Sequence, residues 1–293
     1  MGIDHHDEYQ SGKNLKIAFI LNLSFTVFEL IGGYFVNSVA IISDAIHDLG
    51  DSISLGTALY LEKKSKDKAD NEFSFGYARF SLLGALITAL MLIAGSIYVI
   101  YEAAGRLIEP EPSDAQGMLL FAIVGVAVNG FAAWKLSKGK SINEKMISWH
   151  LLEDVLGWVA ILIVAIVLNF YRIDYLDPAL SLLITAYILY NVVKRLKKTL
   201  YVFLQGKPEE IDMVEIKKKL VTIDHVQSLH HTHIWSLEGE SHVFSTHVKL
   251  KNINSLQDLL QVKNEIKDAL DPYHFKHMTI ETELDQETCA LDN

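Results

Sequence analysis

Four ionisable side chains, Asp44, His47, Asp48 and Asp51, fall inside an apolar run from Val39 to Leu61 that is long enough to cross a bilayer. A charged group at that depth costs about 3 kcal/mol to insert, so such residues are functional candidates by default. Offsets of three, four and seven residues set all four on one helical face. A second apolar run, ending at Leu168, is headed by His150 and Asp154, which repeat the His-x-x-x-Asp spacing of His47 and Asp51. Two helices that each offer an imidazole and a carboxylate one turn apart can close an N2O2 shell around a single cation. Tetrahedral zinc suits that donor set, and other divalent ions can use it too. One polar residue in a membrane helix often only bonds to a neighbouring helix. Two copies of the same pair instead point to a bound metal or to protons, because buried charges must pair or coordinate something. Asp44 and Asp48 stand behind these ligands, Asp44 either as a hydrogen-bond partner of His47 or on the wall of a wet cavity.

Six apolar runs are expected to carry these residues: Leu15 to Val36, Val39 to Leu61, Phe80 to Tyr101, Gly117 to Leu136, Ile147 to Leu168, and Asp177 to about Tyr201. Each is long enough for a spanning helix, and Asn37-Ser38 turns the first two into a hairpin. Residues 1–14, with His5 and His6, read as a polar, disordered tail. Three alternate loops carry four Lys or Arg each, for example Lys63, Lys64, Lys66 and Lys68, while the other side has only Arg106 and Arg172. The positive-inside rule then puts both termini in the cytoplasm.

Beyond Pro208 the chain turns polar. Glu209 to Thr222 reads as a helix, Val226 to Trp235 and His242 to Leu250 as strands about a Glu238-Gly239-Glu240 turn, Ser255 to Leu270 as a helix capped by Ser255, and Lys276 to Leu284 as a last strand. The expected fold class is therefore a helical membrane protein, residues 15–205, with a small α-β-β-α-β domain over residues 206–293. In a regular strand, His231 and His233 share one face and His230 takes the other. Cys289 reads as a tail thiol, with a supplementary soft ligand as the lesser reading.

These residues resemble the cation diffusion facilitators, and most closely their bacterial zinc-exporting branch. The paired His-x-x-x-Asp motifs carry the resemblance. So do Phe75-Gly76-Tyr77-Ala78-Arg79, Arg106-Leu107-Ile108-Glu109-Pro110, Asp177-Pro178 and His230-His231-Thr232-His233-Ile234-Trp235. The resemblance implies a metallochaperone-like cytosolic domain and a homodimer in the inner membrane that exports zinc against protons. It assigns transport to His47, Asp51, His150 and Asp154, and a histidine at position 47 implies preference for zinc over cadmium. It also implies a regulatory cation at His230, His247, Glu281 and Glu283. No cofactor is expected beyond zinc as substrate and regulator. There are departures. A second site before the third span would here be Asp70, Phe73 and Tyr77, and Phe cannot ligate. No histidine lies between Ser137 and Asn143. The acidic partner that relatives place opposite Arg79 is replaced around Leu204-Gln205.

Composition narrows the alternatives. Half of the 293 residues are hydrophobic and the mean hydropathy is +0.22, which fits a membrane domain joined to a polar one. From Gly206 onward 16 Asp and Glu stand against 9 Lys and Arg, so −7 of the net −10 lies on the tail, a poor surface for nucleic acid. A single cysteine excludes a disulfide framework. A membrane metallo-oxygenase needs many histidines at the membrane surface, whereas eight of the twelve here lie in the tail domain. A membrane-anchored metal sensor has no use for four costly ligands inside its anchor. The reading that remains is a secondary active transporter for zinc, or more broadly for zinc, cadmium and cobalt, rather than an enzyme.

Overall fold

The computed structural model describes residues 5–57, 60–61, 63–65, 67–138, 142–289 and 291. The chain divides into two compact units: the residues up to Lys63 together with Leu83–Leu196, and Lys64–Leu82 together with Lys197 onward. Six long helices run through the first unit and its continuations: α1 (His5–Phe35), α2 (Val39–Thr57), α3 (Phe80–Ile108), α4 (Ala115–Ser137), α5 (Ile142–Phe170) and α6 (Leu176–Phe203). Helix α1 begins at His5, so the disorder expected up to residue 14 is corrected from that point on. No proline interrupts the stretch, and extending an existing helix gains one hydrogen bond per residue without a new nucleus. Residues 1–4 lie outside the described set.

Among the described residues four helices are long and apolar enough to span a bilayer: Phe80–Ile108, Ala115–Lys135, Ser148–Phe170 and Leu176–Phe203. Helix α2 falls outside that group because its 19 residues hold Asp44, Asp48 and Asp51. The groups that suggest chemistry are the same ones that lower its apolarity.

Small residues bring the helices together, as expected where lipid offers no hydrophobic drive for association. A Cβ at Gly125 of α4 would lie 2.1 Å from the Trp158 ring of α5, so only glycine admits that ring. Trp158 then joins Val36, Ala40, Ile41, Met118 and Ala122 in a fully buried core. The hairpin between α1 and α2 turns at Asn37, whose φ is +51°. Arg106 Nη1 of α3 donates to the Asn37 carbonyl at 2.8 Å. Asp177, in the first turn of α6, accepts from Ser38 Oγ at 2.5 Å and from the Val39 amide at 2.7 Å. An acid from another helix thus caps α2 and satisfies amides that would otherwise lack partners.

The second unit contains α7 (Met213–Val221), β1 (Val226–Ser236), β2 (His242–Leu250), α8 (Leu256–Leu270) and β3 (His277–Glu283). The sheet order is β1-β2-β3, antiparallel across the first pair and parallel across the second. Helix α7 starts four residues later than the periodicity predicts, because Asp212 caps it by accepting from the Val214 amide at 2.8 Å. Ser255 and Asp258 form a capping box on α8. The helices cover one sheet face with Ile216, Leu220, Val262 and Ile266 against Phe244 and Val248.

Candidate metal sites

One turn of α2 fixes His47 and Asp51, and one turn of α5 fixes His150 and Asp154. Across the two helices, His150 Nε2 lies 2.7 Å from Asp51 Oδ2, which is itself 3.7 Å from His47 Nε2. The two imidazole rings meet edge to face with centroids 6.1 Å apart. Donor atoms around one tetrahedral zinc stand roughly 3.3 Å from one another, between those two separations. Asp154 is buried and interacts through space with His150, His47 and Asp51. The four side chains are not sealed off, since that of His150 is 38% exposed and that of His47 25%.

The carboxylates behind them are more deeply placed. Asp44 and Asp48 are both buried, and Asp44 faces α5 at Gly157, where a Cβ would meet its Oδ1 at an ordinary contact distance of 3.5 Å. Among the described residues neither His47 Nδ1 nor Asp44 Oδ2 has a hydrogen-bond partner. Glu29 of α1, fully buried, sits beside Asp48 and near Asp44, a third carboxyl behind the pair. Sequence reasoning passed over Glu29, although a lone Glu in the first apolar run carries the same signal as the aspartates of α2. A cavity of about 10 Å³ beside His47, lined by Ser43, Ser96 and Thr185, has room for one water.

The residues of the second unit converge by a different route. Register pairs His230 with His247 across β1 and β2, and His247 with Glu281 across β2 and β3. Glu283 Oε1 accepts from His230 Nε2 at 3.1 Å and from His247 Nδ1 at 2.9 Å. Burial pushes the Glu283 carboxyl up, but hydrogen bonds from His247, Cys289 and His230 outweigh it and hold the group below its usual range. Glu281 is 61% exposed and reaches only the far nitrogen, with Oε2 at 3.4 Å from His247 Nε2. The strict alternation expected of His230, His231 and His233 is corrected by a bulge between His230 and His233, with His231 at φ +44°. The extra residue turns the His231 ring towards those of His230 and His247, at 5.3 and 5.4 Å. Donor atoms of His230, His247, Glu283 and Cys289 all lie within 4.8 Å of one another.

A model of the cation efflux transmembrane domain matches residues 15–204, and one of the cation efflux protein cytoplasmic domain matches residues 208–284. The chain is a member of the cation efflux family. It is 36% identical over 278 residues to the zinc transporter ZitB of Yersinia pseudotuberculosis, covering 93% of this chain and 88% of the relative. The metal cation efflux system protein CzcD of Cupriavidus metallidurans is 34% identical over 289 residues, 97% and 91% of the two chains. A cadmium, cobalt and zinc/H(+)-K(+) antiporter of Bacillus subtilis is 32% identical over 283 residues, 95% and 91%. The solved metal-bound C-terminal domain of CzcD from Cupriavidus metallidurans is 31% identical, covers 25% of this chain and 100% of its own, and superposes with a TM-score of 0.23.

Two places where the sequence departs from the cation efflux pattern have their own geometry. Asp70 accepts from the Glu72 and Phe73 amides and from Tyr77 Oη at 2.7 Å, and these bonds, the tyrosine's first, hold its carboxyl below the usual range. Its lone pairs are spent on the loop. Arg79 borders a cavity of about 360 Å³ lined by Phe73, Phe75, Gln205 and Trp235, and its Nε is buried with no acceptor among the described residues.

Proposed function

We propose that this chain is a secondary active transporter that exports divalent cations, zinc first, from the cytosol in exchange for protons. The observation that carries the proposal is the place of Asp51, whose Oδ2 lies 2.7 Å from His150 Nε2 of α5 and 3.7 Å from His47 Nε2 of its own helix. His47, Asp51, His150 and Asp154 hold the ion. Neutral imidazole and ionised carboxylate are the metal-binding forms, so protons compete with metal for the same lone pairs. Histidine changes charge near neutral pH, which suits both loading from the cytosol and release on proton uptake outside. Rocking of helix pairs about the site alternates its access. Asp177 positions the site by fixing the start of α2 to α6.

The transporter works as a homodimer in the inner membrane with both termini in the cytoplasm, the orientation favoured by its basic loops. The C-terminal domain joins two copies and holds a regulatory cation at His230, His247 and Glu283, with Glu281 beside them. Two domains of about −7 repel each other, and a bound divalent cation offsets part of that repulsion. Transport of cadmium and cobalt as well as zinc is the second reading, supported by what the Bacillus relative is named for. Zinc uptake into proteoliposomes, with and without an imposed pH gradient, is the test. Uptake accelerated by an outward-directed proton gradient is expected, and zinc flux indifferent to that gradient overturns the exchange.

A further inference from the structure

We infer that Cys289 is the fourth ligand of the cytosolic cluster, which makes it an N2OS site for zinc or cadmium closed by the chain's own C-terminal segment. This rests on the reading that His230, His247 and Glu283 bind a regulatory cation, and it changes the ligand set that the resemblance suggests.

The geometry is local to one protomer. Past β3 the chain turns back at once. The Glu287 amide donates to the Leu284 carbonyl at 2.9 Å, and the Leu284 amide donates to Glu287 Oε2 at 2.6 Å. Lys249 of β2 donates to the Glu287 carbonyl, and the Asn252 amide donates to Asp285 Oδ2 at 3.0 Å. These bonds lay the segment over β2 and bring Cys289 Sγ to 3.5 Å from His247 Nδ1. That nitrogen is the one facing Glu283, while Glu281 faces the opposite nitrogen. One cation bound through His247 Nδ1 therefore draws on Cys289, Glu283 and His230. Glu281 is left as an outer carboxylate that orients the imidazole, the usual partner of a ligating histidine. Donor separations around a tetrahedral ion with one sulfur run roughly 3.3–3.7 Å, so side-chain shifts of about 1 Å within the present 4.8 Å suffice.

The sulfur decides which ions fit. Thiolate with imidazole suits zinc and other soft or borderline ions, while carboxylates alone suit magnesium and manganese. The transport site has no sulfur, so the cytosolic site is the more discriminating of the two. Binding also pins residues 284–289 to the sheet, so a filled site has an ordered C-terminal segment and a shielded thiol.

The test uses the full chain carrying Asp51→Ala and Asp154→Ala, so that metal binding reports on the cytosolic site alone. Cobalt serves as the spectroscopic probe, and zinc as its competitor. The expected result is a thiolate-to-cobalt charge-transfer band that zinc abolishes, with zinc also slowing alkylation of the only cysteine in the chain. Cys289→Ser should lose the band and weaken zinc binding by at least the ~10–100-fold that losing an outer partner costs. His230→Ala with His247→Ala should abolish both signals. Cobalt binding without the band, equally tight in Cys289→Ser, overturns the role of Cys289 and leaves the His230/His247/Glu283 reading standing. Absence of binding in every variant overturns both.

Discussion

His47 and Asp51 are brought together by one turn of a single helix, whereas His230 and His247 meet only through strand register, a bulge and a returning tail. The two clusters use the same side-chain types in different surroundings. In the membrane domain the four side chains stand on two helices, of which α2 has its start fixed from a distance by Asp177, and Asp51 Oδ2 lies 2.7 Å from His150 Nε2. In the C-terminal domain the central carboxylate, Glu283, accepts from two histidines and from a thiol. A site that senses can rest in a hydrogen-bonded state and bind when the concentration is high enough.

That contrast gives the largest expected effect. Asp154→Ala, or Asp51→Ala, should abolish zinc flux in proteoliposomes while leaving a folded dimer, because the remaining imidazoles lose their charge partners and the shell loses a ligand. His247→Ala, made in the same chain, should leave flux measurable and change only its dependence on cytosolic zinc. Near wild-type uptake by folded Asp154→Ala protein, or abolished uptake in His247→Ala, breaks the assignment of the two roles.

A smaller effect separates the sites by chemistry rather than by presence. Replacing His47 with Asp turns an N2O2 shell into one nitrogen and three carboxylates, a harder and more adaptable set. Transport should persist in His47→Asp, and the zinc-to-cadmium flux ratio should fall. An unchanged ratio removes selectivity from position 47. The cytosolic cluster, with its nearby thiol, should keep its own order of metals in that variant.

How far each site could be read from the sequence follows from the same contrast. The i, i+4 spacing of a helix is rigid, so His47/Asp51 and His150/Asp154 could be placed on two faces from their numbers alone. The α-β-β-α-β order and the Ser255 cap were legible for similar reasons, since both are local patterns. What could not be read depends on contacts remote in the chain. Asp177 lies 138 residues from the Val39 amide it caps. The bulge that turns His231 towards its neighbours is set by pairing with β2. Cys289 comes back to His247 across 42 residues, through bonds to Lys249 and Asn252 that no periodicity announces. Glu29 is the exception, a local signal that was available and passed over.

The smallest expected effect tests whether the cytosolic sheet is held by ordinary local chemistry, independent of its metal ligands. Helix α8 backs that sheet with Val262 and Ile266, and its first turn is closed by Ser255 and Asp258. The hydrogen bond with Ser255, then that from the Asn254 amide, holds the Asp258 carboxyl below its usual range. A group whose pKa is lower in the folded state contributes stability above its unfolded value and loses it as pH falls through the folded one. The cap should therefore act fully above about pH 4, the ordinary aspartate range, and fade below it. Asp258 is only partly buried, so water screens most of the gain and the change should be confined to the first turn of α8. Amide exchange of that turn, measured in the intact protein and corrected for intrinsic rates, should quicken as pH falls past 4. Asp258→Asn should show faster exchange already at neutral pH and a flatter response to acid. Acid-sensitive exchange in the Asn variant equal to that of the unmodified chain would assign the effect to another group. Exchange at His230 and His247 should stay unchanged in Asp258→Asn, because the capping box touches neither strand.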